Sequence, residues 1–263
     1  MVIKSNKRDF KVNKLKIGTR GSPLALAQAL EVKRKIIQHH KLDDLSVEIV
    51  SISTKGDRVL DRPLTEIGGK GLFTEEIESK LFNHEIDIAV HSMKDMPTEF
   101  PSGLEINTFL KREDFRDSFV SLKYDSINEL PIGAIVGSSS IRRKAQLLSI
   151  RSDLKVVEFR GNVQTRLKKL EDGIADATFL ACAGLIRLGM KEVLNPISPE
   201  VMMPAIAQGI IGIEQRLSDI EITELLFPLN HEDLLGFRIS MIQGGRNNYQ
   251  ITDLKSLLKK TES

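Results

Sequence analysis

The chain has 263 residues, 41% hydrophobic and 28% charged, with 38 basic against 36 acidic side chains and a net charge of +2. That length allows a sizeable core in one to three domains, and the charge balance excludes a global field drawing the chain to nucleic acid or membrane. One cysteine rules out an internal disulfide framework and suits a reducing compartment, while 5% aromatics without tryptophan argue against a base-stacking surface. The basic N-terminus MVIKSNKRDFKVNKL lacks the apolar centre of a secretory signal. No run approaches the roughly 18 apolar residues of a membrane span. The expectation is a cytoplasmic protein with neither membrane nor nucleic acid as partner.

Strand-like and amphipathic helical runs alternate, the pattern of parallel α/β architecture. LKIGTR (15–20) reads as a strand, and the helix after it starts with Ser22 as N-cap and Pro23 in the first turn, where its missing N–H costs nothing. LSVEIVSIST (45–54) is a second strand, 71–83 a helix with Glu75 and Glu76 in its first turn, and DIAVHS (87–92) a third, fully buried strand. A second set follows, with strands at 117–122 and 133–140 and a helix 141–150 capped by Ser140. KVVEFRGN (155–162) reads as the next strand, leading into a helix ending at Gly173, and ADATFLACAGL reads as a buried strand and turn. PAIAQGIIGIEQR (204–216) has the character to rejoin the first set.

Two α/β lobes whose strand ends face each other make a cleft, and open α/β sheets bind ligands outside the carboxyl ends of their strands. Chemistry-bearing residues collect at those ends. Lys94 and Asp95 follow the third strand; Arg20 and Ser22 sit in TRGSPLAL; three serines precede Arg142 and Arg143 in GSSSIRR; Arg160 and Arg166 flank a helix start in FRGNVQTR; and Lys70 lies in GGKG. Helix starts favour anions, and arginine grips a carboxylate or phosphate in two places. GGKG lacks the full spacing of a nucleotide phosphate loop, no Cys/His spacing suits zinc, and no G-x-S-x-G elbow occurs. His91 reads as a satisfied core histidine.

Together these segments resemble the hydroxymethylbilane synthase family, also called porphobilinogen deaminase. The ordered motifs run from IGTRGSPLALAQA through GGKGLFTEEIE, DIAVHSMKDMPTEFP, REDFRDSFVS, GSSSIRRKAQL, FRGNVQTRLKKLEDG and LACAGLIRLG to PAIAQGIIGIEQR, roughly residues 15 to 216. The resemblance implies a monomeric transferase of haem biosynthesis that joins four porphobilinogen molecules head to tail, releasing ammonia, on a dipyrromethane cofactor fixed to a cysteine. It implies two periplasmic-binding-protein-like lobes around a central cleft, with a truncated small third α/β domain. The bounds are an N-terminal extension 1–14, a first lobe 15–112 and 207–228, a second lobe 113–206 and a third-domain remnant 229–263. By resemblance Asp95 is the catalytic carboxylate. The substrate and cofactor carboxylates fall to Arg20, Arg142, Arg143, Arg160, Arg166 and Arg187, with Ser22, Lys70, Ser92, Lys94, Ser139 and Ser140. Phe73 and Gln208 match further cleft positions.

The chain departs from the family where the cofactor is anchored: MIQGGRNNYQ carries Arg246 at the expected cysteine. Arginine forms no thioether, and Cys182, inside TFLACAGL, has the character of a small buried hydrophobe. Covalent attachment of dipyrromethane is therefore not expected here. Glu66 stands where a cleft lysine is common. Alternative readings are an inactive homologue keeping a two-lobed polycarboxylate-binding cleft, and a two-lobed solute receptor, which the missing signal peptide disfavours.

Overall fold

Residues 14–58, 71–97, 100–231 and 234 are described by the computed structural model. Lys70, Glu66, Arg246, the N-terminal extension to residue 13 and nearly all of the expected third-domain remnant lie outside them. Two sheets carry the fold. In the first, β1 (Leu15–Arg20), β2 (Val47–Ile52), β3 (Ile88–Ser92), β4 (Leu104–Phe109) and β9 (Ile211–Arg216) take the order β2-β1-β3-β9-β4. In the second, β5 (Asp117–Ser121), β6 (Ile135–Gly137), β7 (Lys155–Val157) and β8 (Ala177–Ala181) take the order β5-β8-β6-β7.

Neither sheet is all-parallel. β1 pairs parallel with β2 and β3, whereas β9 pairs antiparallel with both β3 and β4; likewise β8 runs parallel to β6 and antiparallel to β5. The antiparallel members are the strands next to the connections between the sheets, because a chain that leaves one sheet and returns re-enters from the opposite end. Two strands are shorter than their apolar runs suggest, since 133–140 keeps only Ile135–Gly137 and 155–162 only Lys155–Val157. Polar residues end both. ADATFLACAGL splits into β8 and a short helix rather than a strand and turn.

Helix α1 (Pro23–His40) begins as its sequence demands: the Ser22 hydroxyl accepts from Ala25 N at 3.3 Å, with proline in the first turn. Ala25, Ala29, Val32 and Ile36, spaced at helical period, are its buried face. That stripe meets Leu15, Ile17, Val47, Ile88, Val90, Ile211 and Ile213 from the sheet in one apolar cluster. The short helix α2 (Lys55–Arg58) follows β2, and α3 (Glu75–Phe82) covers the other face with Ile77 and Leu81. The second sheet is packed by α4 (Ile141–Ile150), α5 (Val163–Glu171) and α6 (Cys182–Arg187), burying Phe119, Leu147, Phe159, Leu170, Phe179 and Leu185. α7 (Ile220–Leu226) returns to the first sheet with Ile222, Leu225 and Leu226.

The two crossing segments are bonded to each other: Leu110 N donates to Ile211 O at 3.0 Å and Glu113 N to Gly209 O at 3.2 Å. Gly209 has φ +91°, and a Cβ there would lie 2.4 Å from the Glu113 carbonyl oxygen. Only glycine lets the two crossing segments approach so closely. Among the described residues no helix is long and apolar enough to cross a membrane.

Candidate active site

The parallel pairing of β1 with β3 brings their carboxyl ends to the same edge of the first sheet. A small pocket of about 60 Å³, open to solvent, forms there and is lined by Arg20, Ser22, Gln28, Phe73, Ser92 and Asp95 among others. Arg20 Nε donates to both oxygens of Asp57, at 3.1 and 3.3 Å, and Nη2 reinforces the pair. Its guanidinium also stacks over Phe73, 4.1 Å from the ring centroid. Burial pushes the Asp57 carboxyl up, but hydrogen bonds from Arg20 and Thr54 win and hold it below the usual range. The Ser92 hydroxyl exchanges hydrogen bonds with the Gln28 amide at 2.8 and 3.1 Å.

After β3 a single 3-10 turn, Met93–Asp95, buries Met93 alone and turns Lys94 and Asp95 outward. Asp95 is thus exposed on the cleft wall. The turn explains it. Met93 packs on Gly212 of β9 and takes the inward position that a continued strand would have given to its neighbours.

The second sheet supplies the facing set. The Ser140 hydroxyl caps α4, accepting from Arg143 N at 3.4 Å, and Ser139 Oγ accepts from Phe159 N at 3.0 Å. Both serines therefore have structural bonds. Arg142 Nη2 and Arg143 Nη2 each donate to Asp117, to Oδ2 and Oδ1 respectively, both at 2.7 Å. Arg143 is 7% exposed, and its Nη1 donates to Phe179 O at 2.7 Å. Arg160 is half-buried ahead of α5. Arg166, one turn inside that helix, donates from Nε to Gly161 O at 2.9 Å.

Lys94 and Gln208 join the halves. Gln208 is 1% exposed; its amide donates to Asp117 Oδ1 and to Phe115 O, both at 2.8 Å, while its Oε1 accepts from Lys94 Nζ at 3.4 Å. Solvent reaches Lys94 through the cleft, yet protein crowds it from both sheets. Loss of bulk water holds its ammonium below the usual lysine range; Arg143 and Arg166 push the same way, and Asp95 and Asp117 oppose them. Arg166 is held down to about 10 by burial and then by Arg143 and Arg160, with Asp95 opposing. A carboxylate of the first sheet and a guanidinium of the second thus act on each other across the cleft.

Arg187 lies differently. Its side chain, 7% exposed, donates to Glu31 of α1 at 3.1 Å and to Gly209 O at 3.0 Å, so it spans the lobes beside the hinge. Cys182 is fully buried, and burial pushes its thiol up to about 12. His91 is buried against Glu214 at 3.0 Å. Reading strand ends missed Asp57 and Asp117. Asp57 follows β2 as Asp95 follows β3, a signal that was there to use. Asp117 opens the buried run DSFVSL, where a fully buried acid (0% exposed) needs partners, and the two adjacent arginines of GSSSIRR offered them.

Residues 15–224 match the family model described as porphobilinogen deaminase, dipyromethane cofactor binding domain. A porphobilinogen deaminase from Paracoccus denitrificans (strain Pd 1222) is 61% identical over 222 residues, covering 84% of this chain and 71% of that protein. Among solved structures, a pheromone cOB1 precursor/lipoprotein of the YaeC family from Enterococcus faecalis V583 is similar in fold alone. It has a TM-score of 0.51 and 15% identity over 88% of this chain and 97% of that one. With the model match spanning most of its length and the relative so similar, the chain belongs to the porphobilinogen deaminase family.

Proposed function

We propose that this protein is a transferase of tetrapyrrole biosynthesis that condenses four porphobilinogen molecules head to tail into hydroxymethylbilane, with Asp95 as its catalytic carboxylate. The observation that carries this reading is that Asp95 lies within reach of Lys94 beside it and of Arg166 from the second sheet, with Arg143 and Arg160 grouped around those cations. Each porphobilinogen carries an acetate and a propionate, so cations at several points suit it better than one phosphate-type loop would. In this reading residues 15–112 with 207–228 bring Arg20, Ser22, Phe73, Ser92, Lys94 and Asp95, and 113–206 brings the remaining arginines with Ser139 and Ser140. One chain closes the site, so a monomer suffices.

In each condensation the carbon–nitrogen bond of the aminomethyl group breaks and ammonia leaves an electron-poor azafulvene. The free α-carbon of the neighbouring pyrrole attacks, a carbon–carbon bond forms, and the ring proton it loses departs with ammonia as ammonium. Positive charge spreads into the ring as this happens. Asp95, facing the cavity, is placed to accept hydrogen bonds from pyrrole N–H groups, stabilise that charge and hold the proton in transit. The arginines fix the carboxylate arms and so align the reacting carbons.

A dipyrromethane, when bound, supplies the first nucleophilic pyrrole carbon. Its carboxylates fit the donor set: Arg142, Arg143, Arg160, Arg166 and Lys94 are cationic, and Arg143 Nε is buried without a hydrogen-bond partner among the described residues. The thioether does not fit Cys182, whose buried thiol supplies almost no thiolate. The test is turnover of porphobilinogen by the full chain, with intact mass and peptide mapping alongside. Asp95→Asn should lower kcat by about 10²–10⁴-fold with affinity little changed. Normal turnover by that variant would refute the role of Asp95, and a pyrrole adduct on Cys182 would refute the account of that thiol.

A further inference from the structure

Asp117 touches neither the cavity nor solvent, yet both halves of the site pass through it. Its carboxylate is 0% exposed and receives three donors at 2.7 to 2.8 Å: Arg142, Arg143 and Gln208. Gln208 stands on the return crossing between the sheets, and its other amide atom accepts from Lys94. The connected chain is Arg143–Asp117–Gln208–Lys94, running from the second sheet through the hinge to the residue beside Asp95. One carboxylate here serves two guanidiniums, so the group keeps a positive charge for an incoming anion while its forks are held in fixed directions. Without Asp117 two adjacent guanidiniums would repel, and Arg143 would be a buried cation bonded only to a carbonyl.

Resting on the reading of a pyrrole-carboxylate site above, we infer that Asp117 is its positioning residue. By aiming Arg142 and Arg143 and, through Gln208, setting Lys94, it makes the cleft select ligands with two carboxylates over ligands with one. It touches no substrate itself.

Calorimetric titration of the full chain with porphobilinogen, and with a pyrrole bearing a single propionate, tests this. Asp117→Asn, which keeps the shape and removes the charge, should weaken porphobilinogen binding tenfold or more. The monocarboxylate should weaken far less, so the ratio of the two affinities should fall toward one. A purely structural role would lower both affinities by the same factor and leave the ratio as it was; that result, or unchanged or tighter porphobilinogen binding, overturns the inference. If Asp117→Asn does not fold, Gln208→Leu cuts the arm to Lys94 and leaves both ion pairs. It should lower the ratio part of the way, and a wild-type ratio would overturn the inference equally. A wild-type chain that binds no porphobilinogen refutes the underlying reading, whereas a wild-type chain that binds and variants that keep its selectivity refute this inference alone.

Discussion

The two walls of the cleft hold their arginines in opposite ways. On the first sheet Arg20 pairs with Asp57 where both side chains are 25% exposed, and an aromatic ring backs the guanidinium. On the second, Arg142 and Arg143 share Asp117, a carboxylate out of contact with water. A half-buried pair that water still reaches gains less from its Coulomb attraction than a buried one, so in the proposed site Arg20 would exchange Asp57 for a ligand carboxylate more readily than Arg143 would give up Asp117. A buried pair cannot be parted without stranding a charge. One wall is thus adaptable and the other is fixed. A cleft that must accept a lengthening polymer, and still align each new unit, has a use for both.

The largest expected effect would break this contrast outright. Asp117→Ala leaves two guanidiniums facing an apolar side chain and should destabilise the protein by about 3–5 kcal/mol. Asp57→Ala should cost about 1 kcal/mol or less. Urea unfolding of both variants beside the wild type measures the difference. Equal losses would mean that the walls are alike, and the division into a fixed and an adaptable side would fall.

A smaller effect sharpens the comparison at the helix starts. Ser22 and Ser140 cap α1 and α4, one on each wall, and their hydroxyls already accept backbone N–H groups. Replacing either by alanine should cost about 1 kcal/mol of stability. If capping is the main task of both, the two losses match in unfolding experiments. A loss of porphobilinogen affinity in Ser140→Ala without a matching loss of stability would instead show that hydroxyl turning to the ligand.

Much of this was legible in the sequence, for physical reasons that differ from place to place. The buried run Ile88–Val90, the Ser22-Pro23 start and the Ser140 cap are local signals, and each element formed where its residues dictated. β4 was not foreseen: LEINTF alternates weakly, and only pairing with β9 makes it a strand. The antiparallel course of β9 was equally hidden, since IGIEQR reads the same in either direction. Arg20, Lys94, Asp95 and Arg166 stood out in the sequence because they follow strand ends or open helices, and the fold places them at those ends. Nothing local, however, showed that Arg187 spends its donors on Glu31 and Gly209, because that pairing depends on how the lobes meet.

The smallest effect expected concerns pH, and it sets the walls in opposition once more. Asp117 is pushed up by burial but held lower by Arg143, Arg142 and Gln208, the net result being below its ordinary 3.8. A depressed acid contributes stability that is present above its unfolded pKa and is lost as pH falls through the folded one. Glu78, on α3 behind the first wall, is raised above 4.5, chiefly by burial and then by Glu214 and Glu75, with Thr74 and His91 opposing. Its Oε1 and that of Glu214 are buried without partners among the described residues. A raised acid works the other way: the folded state keeps its proton after the unfolded chain has released it. Its contribution is therefore full below 4.5 and lost as pH rises through the folded value. Glu78→Gln removes that titration, so the variant should be more stable relative to wild type at about pH 8 than at about pH 5. Urea midpoints at the two pH values measure the change, and a difference between variant and wild type that stays constant with pH would show Glu78 ionising in the fold as freely as it does in water.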